Sequence, residues 1–428
     1  MFIQLIVENF RSFAERQSFS MVASKAVRRL RDENTFESEL ADRGAPKLLK
    51  TSAVFGPNAS GKSNLVKAFR FLEDLVITSA RADADDPIEV QPFRLDPAKR
   101  ESDSFFEIHF IEDGVRYQFG VTVNATRITS EWLIAYPKAR PQLYYERKFN
   151  IEHQKDEYVF GANLEGGRIR RDWASQTGPK TLYLSRVVQQ SSEEFQQLRK
   201  PYSWFKNRLR VMPTDEHRIG RNYTLKKCSG DEKSDVLAFM NNADVPIADL
   251  TVLHEPLDVV GLSKTLSEEF LRKLVKDQSA EGVPHPKFFH RGINGDLIEF
   301  EEDDESDGTR ALFAFAGPWN DVLENDYVLV VDELDTSLHP LIVRRLIEIL
   351  NKKGKKAQLI FTTHDTSIMS SRILRRDQYW FTQRDARGAS SLYSLHDFKG
   401  REEDPIQSKY FEGSFGALPV LRSLWRHG

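Results

Sequence analysis

The sequence predicts an α/β fold with a mixed sheet, an antiparallel β lobe and a helical insertion. Three observations predict it. A glycine-rich loop at residues 56–63 lies between a short apolar strand and an amphipathic helix. Residues 105–149 contain alternating apolar and polar runs that are typical of antiparallel strands. A further apolar strand, residues 327–331, ends in two acids, Asp332 and Glu333.

The glycine-rich loop carries the most specific chemical signal. It matches the pattern G-x-x-x-x-G-K-[ST] at every position, through Gly56, Pro57, Asn58, Ala59, Ser60, Gly61, Lys62 and Ser63. Such a turn exposes backbone N–H groups to a polyphosphate, and the dipole of the following helix adds to the attraction. We expect Lys62, as a surface side chain, to reach the β- and γ-phosphates and the Ser63 hydroxyl to bind Mg²⁺. The loop therefore predicts a P-loop nucleotide site that takes Mg²⁺ as a cofactor.

The periodicity of apolar residues and the positions of turn residues predict the remaining strands and helices. Residues 2–7 and 17–22 predict an opening strand pair, and Asp113-Gly114 predicts a hairpin turn between strands 105–111 and 115–121. Further strands are expected at 52–55, 127–135, 142–149, 288–290, 297–300, 358–362 and near Tyr379 and Leu392. Helices are expected at 63–71, 191–209, 232–241, 263–275, 308–323 and 341–351. The predicted domains are an N-terminal part of the core (1–137), a basic, largely helical insertion (138–284) and a C-terminal part of the core (285–428).

Carboxylates and a histidine complete the predicted site. Asp332 would bind Mg²⁺, and Glu333 would polarise the attacking water. His364 follows the predicted strand 358–362, where a γ-phosphate can be sensed at the carboxyl end of a parallel strand; the alternative is an ordinary loop histidine. Gln91 is a candidate Mg²⁺-sensing residue or, equally, a turn glutamine before Pro92.

Composition, charge and cysteine content limit the kinds of protein that this sequence can encode. The chain has 428 residues, a net charge of −3 and one cysteine, Cys228, so no intrachain disulfide can form. The N-terminus has no signal-peptide or membrane-span pattern, and we expect a soluble cytoplasmic protein. Residues 138–230 contain 19 Lys/Arg against 10 Asp/Glu. His285, His290 and Cys228 do not have the spacing of metal ligands, so no zinc site is expected.

The order of these motifs resembles an ABC-type ATPase head of the SMC/RecF/OLD class. The segments that carry the closer likeness are residues 9–13 (Asn-Phe-Arg-Ser-Phe), 305–309 (Glu-Ser-Asp-Gly-Thr), 337–340 (Ser-Leu-His-Pro) and 410–416. They resemble stand-alone ATPases of bacterial phage-defence and abortive-infection systems, the AbiL, RloA and PARIS-like proteins. The resemblance covers residues 1–135 and 285–420.

The resemblance implies a head-to-tail homodimer or higher homo-oligomer. In such heads the signature segment of one subunit caps the nucleotide of the other, and Ser306 and Gly308 would have this role here. Arg11 would contribute to nucleotide binding. Asp307 and Thr309 depart from the transporter-type signature, which implies slow or partner-stimulated hydrolysis. The acidic run 299–307 could instead be the solvated start of a helix. His339 stands where related heads carry an aspartate.

The sequence indicates less about the function of the middle of the chain. Basic residues alternate with aromatic ones around Trp173 and Trp204, a pattern compatible with nucleic-acid binding, solvated helix faces or a partner-protein surface. The 64 residues after His364 are too few for a fused nuclease domain, so we expect any effector, a nuclease or toxin, to be a separate protein. The leading hypothesis is a nucleotide-gated sensor in antiphage defence. The alternatives are a RecF-like DNA-binding ATPase in repair or maintenance, and a nucleotide-locked scaffold.

Overall fold

A computed structural model describes residues 1–83, 85–138, 140–191, 195–214, 217–255, 282–336 and 338–419. The described chain forms two compact units. The first contains residues 1–214, 322–335 and 343–419, and the second contains residues 217–321 and 336–342, as far as these ranges are described. Within them, no helix combines the length and apolar character that a membrane span requires.

The described strands and helices are numbered in chain order. The strands are β1 Phe2–Glu8, β2 Gln17–Ser20, β3 Thr35–Phe36, β4 Leu48–Leu49, β5 Thr51–Phe55, β6 Ser104–Glu112, β7 Val115–Val123, β8 Ile128–Tyr136, β9 Gln142–Asn150, β10 Lys155–Phe160, β11 Leu209–Met212, β12 Asp249–Glu255, β13 Val283–Arg291, β14 Leu297–Glu301, β15 Val328–Val331, β16 Gln358–Thr362, β17 Tyr379–Arg384 and β18 Ser390–Ser394. The helices are α1 Arg31–Asn34, α2 Lys62–Thr78, α3 Pro97–Arg100, α4 Ile169–Ser175, α5 Tyr183–Gln190, α6 Gln196–Ser203, α7 His217–Cys228, α8 Lys233–Asn242, α9 Asp307–Asn325, α10 Pro340–Lys353 and α11 Ile406–Phe411.

An antiparallel sheet of seven strands forms the β lobe, in the order β10-β9-β8-β7-β6-β1-β2. The predicted hairpin is confirmed: Asp113 and Gly114 have φ values of 48° and 68°, which are the left-handed conformations that a tight hairpin turn requires. Alternate residues of β6, such as Phe106 and Ile108, are fully buried. The period-2 pattern therefore places one face of this sheet on the core.

The core sheet has the order β11-β15-β16-β5-β17-β18, and all neighbours are parallel except β17 and β18. Strands β5, β15 and β16 are buried along their whole length, as their apolar sequences predict for a sheet covered on both faces. Helix α2 belongs to the same hydrophobic core as both sheets, and its Phe69 ring contacts Phe2 of β1 at a centroid distance of 5.1 Å. This packing fixes the helix that carries the glycine-rich loop.

The second unit has a separate core under the three-stranded sheet β12-β13-β14. Leu250 of β12 and Phe288 of β13 are paired across the strands and are buried together with Val236 of α8 and Phe313 of α9. The predicted strands at 288–290 and 297–300 and the predicted helix at 308–323 are confirmed, and β12 is a strand that the sequence pattern did not indicate.

The middle of the chain agrees with the predictions in part. The segment expected to be largely helical contains β9, which was predicted as a strand at 142–149, and also β10 and β11, which were not predicted. The helix expected at 191–209 is confirmed for residues 196–208, since a π-helix, Trp204–Arg208, continues α6. Leu209 begins β11, which pairs with the buried β15. The compact units thus divide the chain at other positions than the three predicted domains. The helix expected at 263–275 lies outside the described residues.

Candidate functional site

The glycine-rich loop connects β5 to α2 and depends on its glycines. Gly56 and Gly61 have φ values of 154° and 110°, conformations that side chains rarely adopt. A Cβ at Gly56 would collide with the Thr382 carbonyl, and a Cβ at Gly61 would lie 2.6 Å from the Ser390 hydroxyl. Residues of β17 and β18 therefore lie so close to the loop that only glycine fits at these two positions.

Lys62 is the first residue of α2, and its burial differs from the prediction. The sequence suggested a surface side chain, but Lys62 is only 5% exposed. Its Nζ donates to the carbonyls of Gly56 (2.9 Å) and Pro57 (3.2 Å). Burial lowers the pKa of Lys62, and the nearby acids, Glu333 first among them, oppose this shift. The ammonium is thus held at the centre of the loop, where polyphosphate oxygens can replace the two carbonyls as acceptors.

Asp332 and Glu333 follow β15, and a threonine that the sequence analysis did not identify positions both. Asp332 is 2% exposed; its Oδ1 accepts a hydrogen bond from Thr362 Oγ1 (2.6 Å) and its Oδ2 accepts one from Thr214 Oγ1 (2.9 Å). Thr362 Oγ1 also accepts from the Glu333 backbone N–H (2.7 Å). Glu333 itself has a φ of 51°. One hydroxyl at the end of β16 therefore holds both acids in place.

His364 lies two residues beyond β16, the strand between β15 and β5. Its backbone N–H donates to the Asp335 carboxylate (3.2 Å). Partial burial lowers the pKa of His364, and the Lys62 charge lowers it further, against the opposing effect of Asp335 and Glu333. The imidazole is consequently neutral at pH 7, so that one ring nitrogen can donate and the other can accept a hydrogen bond.

A cleft of about 640 Å³ in the first unit brings most of the predicted residues together. Its lining includes the predicted residues Arg11, Asn58, Ala59, Ser60, Gly61, Lys62, Ser63, Gln91, Glu333 and His364. Arg11 has a φ of 53°, and its N–H donates to the Gln91 carbonyl at 2.7 Å. Gly56, Pro57 and Asp332 do not line the cleft.

Sequence reasoning missed several other residues of the cleft, namely Ser12, Asn64, Arg384 and Gly388. The Ser12 hydroxyl accepts from Asn64 Nδ2 (2.6 Å) and from Ser390 Oγ (2.7 Å), which ties the N-terminal segment, α2 and β18 together. Ser12 and Asn64 stand next to predicted residues and could have been found by that proximity. No local signal marks Arg384 or Gly388.

Ser306 and Gly308 lie in the second unit, at the start of α9. The Ser306 hydroxyl accepts from the Thr309 N–H (3.1 Å), so that Ser306 caps the helix. The preceding Glu305 contacts His290 Nε2 at 2.6 Å, which ties the segment to β13. These contacts give Ser306 a structural role within its own unit. A role in binding the nucleotide of another subunit stays a prediction.

The aromatic residues of the basic segments belong to the hydrophobic core. Trp204 is fully buried and stacks on Phe110 at a centroid distance of 4.3 Å, and Trp173 is buried against Phe195. The neighbouring Arg208 pairs with Glu112 at 3.3 Å. Trp173 and Trp204 are therefore not surfaces on which bases could stack.

Comparisons with known proteins show which family the chain belongs to. The family model described as "AAA domain, putative AbiEii toxin, Type IV TA system" matches residues 52–370. No functionally curated protein matches the sequence. The chain is similar in structure to an SMC head bound to the C-winged helix domain of ScpA (14% identity, TM-score 0.41, 92% of this chain and 97% of that chain). It is also similar to an SMC head domain from Thermotoga maritima (14% identity, TM-score 0.37, 92% of this chain and 98% of that chain).

The family model covers more than half of the sequence, from β5 to beyond His364, and so includes the glycine-rich loop and both acids. The predicted relationship to ATPases of abortive-infection systems is thereby confirmed at the level of the family. The chain belongs to this AbiEii-related family of AAA-domain proteins.

Proposed function

We propose that the protein binds ATP with Mg²⁺ in the cleft, hydrolyses it, and acts as a nucleotide-gated sensor or scaffold that controls a separate effector in bacterial antiphage defence. One observation carries the proposal: Lys62, Ser63, Glu333 and His364 line a single cleft, and the buried Asp332 directly precedes Glu333. These residues come from the carboxyl ends of β5, β15 and β16, which is where ligands bind in open α/β sheets.

The residues present fit a Mg²⁺–nucleotide complex. Gly56 and Gly61 leave the loop backbone without side chains, as close approach to phosphates requires. Ser63 and Asp332 supply oxygen ligands for Mg²⁺, with Gln91 as a further candidate. Within the described ranges, no group of three or more His, Cys, Asp or Glu side chains could hold a metal alone. When bound, Mg²⁺ would neutralise charge on the phosphates.

Glu333 is the residue suited to take a proton from an attacking water molecule. Its backbone is fixed by Thr362, its side chain lines the cleft, and the adjacent Asp332 is already engaged by two hydroxyls. His364 lies on the same side of the glycine-rich loop and, as a neutral imidazole, can donate one hydrogen bond to a phosphate oxygen. We assign Glu333 the role of general base and His364 that of a γ-phosphate contact.

The biological role rests on the family. Its description refers to a putative AbiEii toxin of a type IV toxin–antitoxin system. The sequence also resembles ATPases of bacterial phage-defence systems. In the proposed assembly, Ser306 and Gly308 of one subunit complete the nucleotide site of another. The RecF-like alternative has less support, since Trp173 and Trp204 are buried and unable to stack on bases. Exposed basic residues of the middle segment could still contact nucleic acid through phosphates.

Replacing Lys62 by alanine tests the assignment of the cleft. We expect wild-type protein to bind ATP with Mg²⁺ in a calorimetric titration, and Lys62→Ala to lose affinity by about 100-fold or more, since a charge-assisted contact to the phosphates disappears. Lys353→Ala, at the exposed end of α10, is the matched control and should bind normally. Because Lys62 is buried, melting temperatures must accompany the titration. Unchanged ATP affinity in a folded Lys62→Ala variant would refute the site.

A further inference from the structure

The cleft extends beyond the glycine-rich loop to the hairpin of β17 and β18. Arg384, the last residue of β17, and Gly388, in the hairpin turn, both line it. In the core sheet, β15 and β17 lie on opposite sides of β5, in the order β15-β16-β5-β17. Three strand spacings separate β15 from β17, which amounts to about 14 Å. The two ends of the cleft are therefore chemically distinct: Glu333 and His364 at one, Arg384 at the other.

The order of strands gives the direction in which a nucleotide would lie. On the proposed function, on which this inference rests, Glu333 and His364 act at the terminal phosphate, and the loop after β5 holds the phosphate chain. The sugar and base must then extend away from β15, toward β17. The base would therefore contact the residues of the β17–β18 hairpin.

The hairpin turn is held by its own hydrogen bonds. The Asp385 carboxylate accepts from the backbone N–H groups of Arg387 (2.9 Å) and Ala389 (2.8 Å). These bonds lower the pKa of Asp385, led by the bond from Ala389. Arg384 Nε donates to the Gly388 carbonyl at 3.0 Å. The guanidinium of Arg384 is thus positioned before any ligand arrives, and this bond uses one of its five N–H donors.

An exposed leucine lies beside this arginine. Leu95 also lines the cleft and is 59% exposed. It packs directly on the turn, because a Cβ at Gly388 would collide with Leu95 Cδ1. An exposed apolar side chain is a surface on which the face of an aromatic ring packs well, and a guanidinium beside it can meet the edge of the same ring. A purine base would lie on Leu95 with its edge toward Arg384.

We infer that Arg384 and Leu95 form the nucleobase end of the cleft and that the site accepts GTP as well as ATP. A guanidinium has donors only. Guanine presents two adjacent acceptors, O6 and N7, whereas adenine presents N7 beside an amino donor, so arginine pairs with guanine through two hydrogen bonds. Arg384 therefore does not discriminate against guanine, and its loss should weaken GTP binding more than ATP binding.

The inference is tested by titrating ATP, GTP, CTP and tripolyphosphate, each with Mg²⁺, into the full-length wild type, Arg384→Ala and Arg387→Ala. Arg387 is the matched control: it belongs to the same turn, its side chain is 85% exposed, and it does not line the cleft. We expect wild type to bind GTP at least as tightly as ATP and CTP more weakly. Arg384→Ala should weaken GTP binding by about tenfold or more, ATP binding less, and tripolyphosphate binding hardly at all.

The outcomes separate this inference from the proposed function. If wild type binds ATP and tripolyphosphate but GTP at least tenfold more weakly, or if Arg384→Ala and Arg387→Ala lower all affinities equally, the base end is misplaced and the nucleotide site stands. If wild type binds neither tripolyphosphate nor any nucleotide, both fail. A loss in Arg384→Ala that is confined to nucleotides and largest for GTP supports the inference.

Discussion

At the scale of single residues, the acids of the site depend on one threonine. Thr362 donates to Asp332 and accepts from the backbone of Glu333, so its hydroxyl fixes the direction in which each acid projects. Asp332 is thereby held in a buried position, whereas Glu333 lines the open cleft. Two neighbouring carboxylates can then have different roles because their surroundings differ.

Replacing Glu333 by glutamine should separate binding from hydrolysis. The amide keeps the size of the side chain but cannot take a proton from water, so we expect ATP to bind normally and turnover to fall by about 100-fold or more. Nucleotide retention on a desalting column and phosphate release measure the two steps. Glu324→Gln, an exposed change of the same kind in α9, should hydrolyse ATP like wild type. Wild-type turnover in Glu333→Gln would remove Glu333 from the mechanism.

At the scale of elements, α2 carries the loop and also a buried acid. Glu73 is 7% exposed and pairs with Arg70 at 3.1 Å. Burial raises the pKa of Glu73 to about 7, and the Arg70 charge opposes the shift. In the unfolded chain the same carboxyl has its ordinary pKa near 4.5. Between these values the folded state binds the proton that the unfolded state releases, so stability falls as pH rises from about 4.5 through 7.

The variant Glu73→Gln should remove this pH dependence. A neutral amide carries no burial penalty at high pH and can still accept from Arg70. We expect the free energy of unfolding to match wild type below pH 4.5 and to exceed it by about 3 kcal/mol at pH 8. Urea unfolding at pH 5 and pH 8 measures the difference. Asp74→Asn is the control, since Asp74 pairs with the same arginine but is half exposed, and its effect should be small at both pH values. A gain that does not grow with pH would show that the pKa of Glu73 is not raised.

At the scale of the whole molecule, the proposed head-to-tail assembly requires both compact units. The first unit forms the cleft, and the second presents Ser306 as the N-terminal cap of α9. If Ser306 and Gly308 act on the nucleotide of a partner subunit, neither subunit can hydrolyse ATP alone. The assembly can then be tested by mixing two variants that are defective in different units.

Ser306→Arg should bind ATP as a single subunit but fail to associate or hydrolyse it, because a bulky side chain blocks closure at the helix N-terminus. Mixed with Lys62→Ala, it should regain part of the activity, since one site of the heterodimer then has an intact loop and an intact Ser306. Ser306→Ala is the control for the lost helix cap, which costs about 1 kcal/mol of stability without adding bulk. ATPase assays and sedimentation with ATP measure both effects. Normal hydrolysis by monomeric Ser306→Arg would rule out the trans arrangement.

The sequence alone determined the features that depend on local physics. The glycine-rich loop, the Asp113-Gly114 turn and the apolar runs of β5, β15 and β16 are each encoded within a few residues, through backbone conformation and burial period. These features were sufficient to predict the fold class and the main residues of the site. The burial of Lys62 was not predicted, because it depends on how the folded loop encloses the lysine side chain.

Only the tertiary structure decided which distant residues meet. Thr362 reaches Asp332 across two neighbouring strands, and Ser390 closes on Ser12 although 378 residues separate them. Arg384 enters the cleft because β17 lies beside β5. Pairing between distant strands also explains why β11, in the middle of the chain, was not predicted. The short β11 is a strand because β15 offers it a buried edge, and a non-local partner of this kind leaves no pattern in the local sequence.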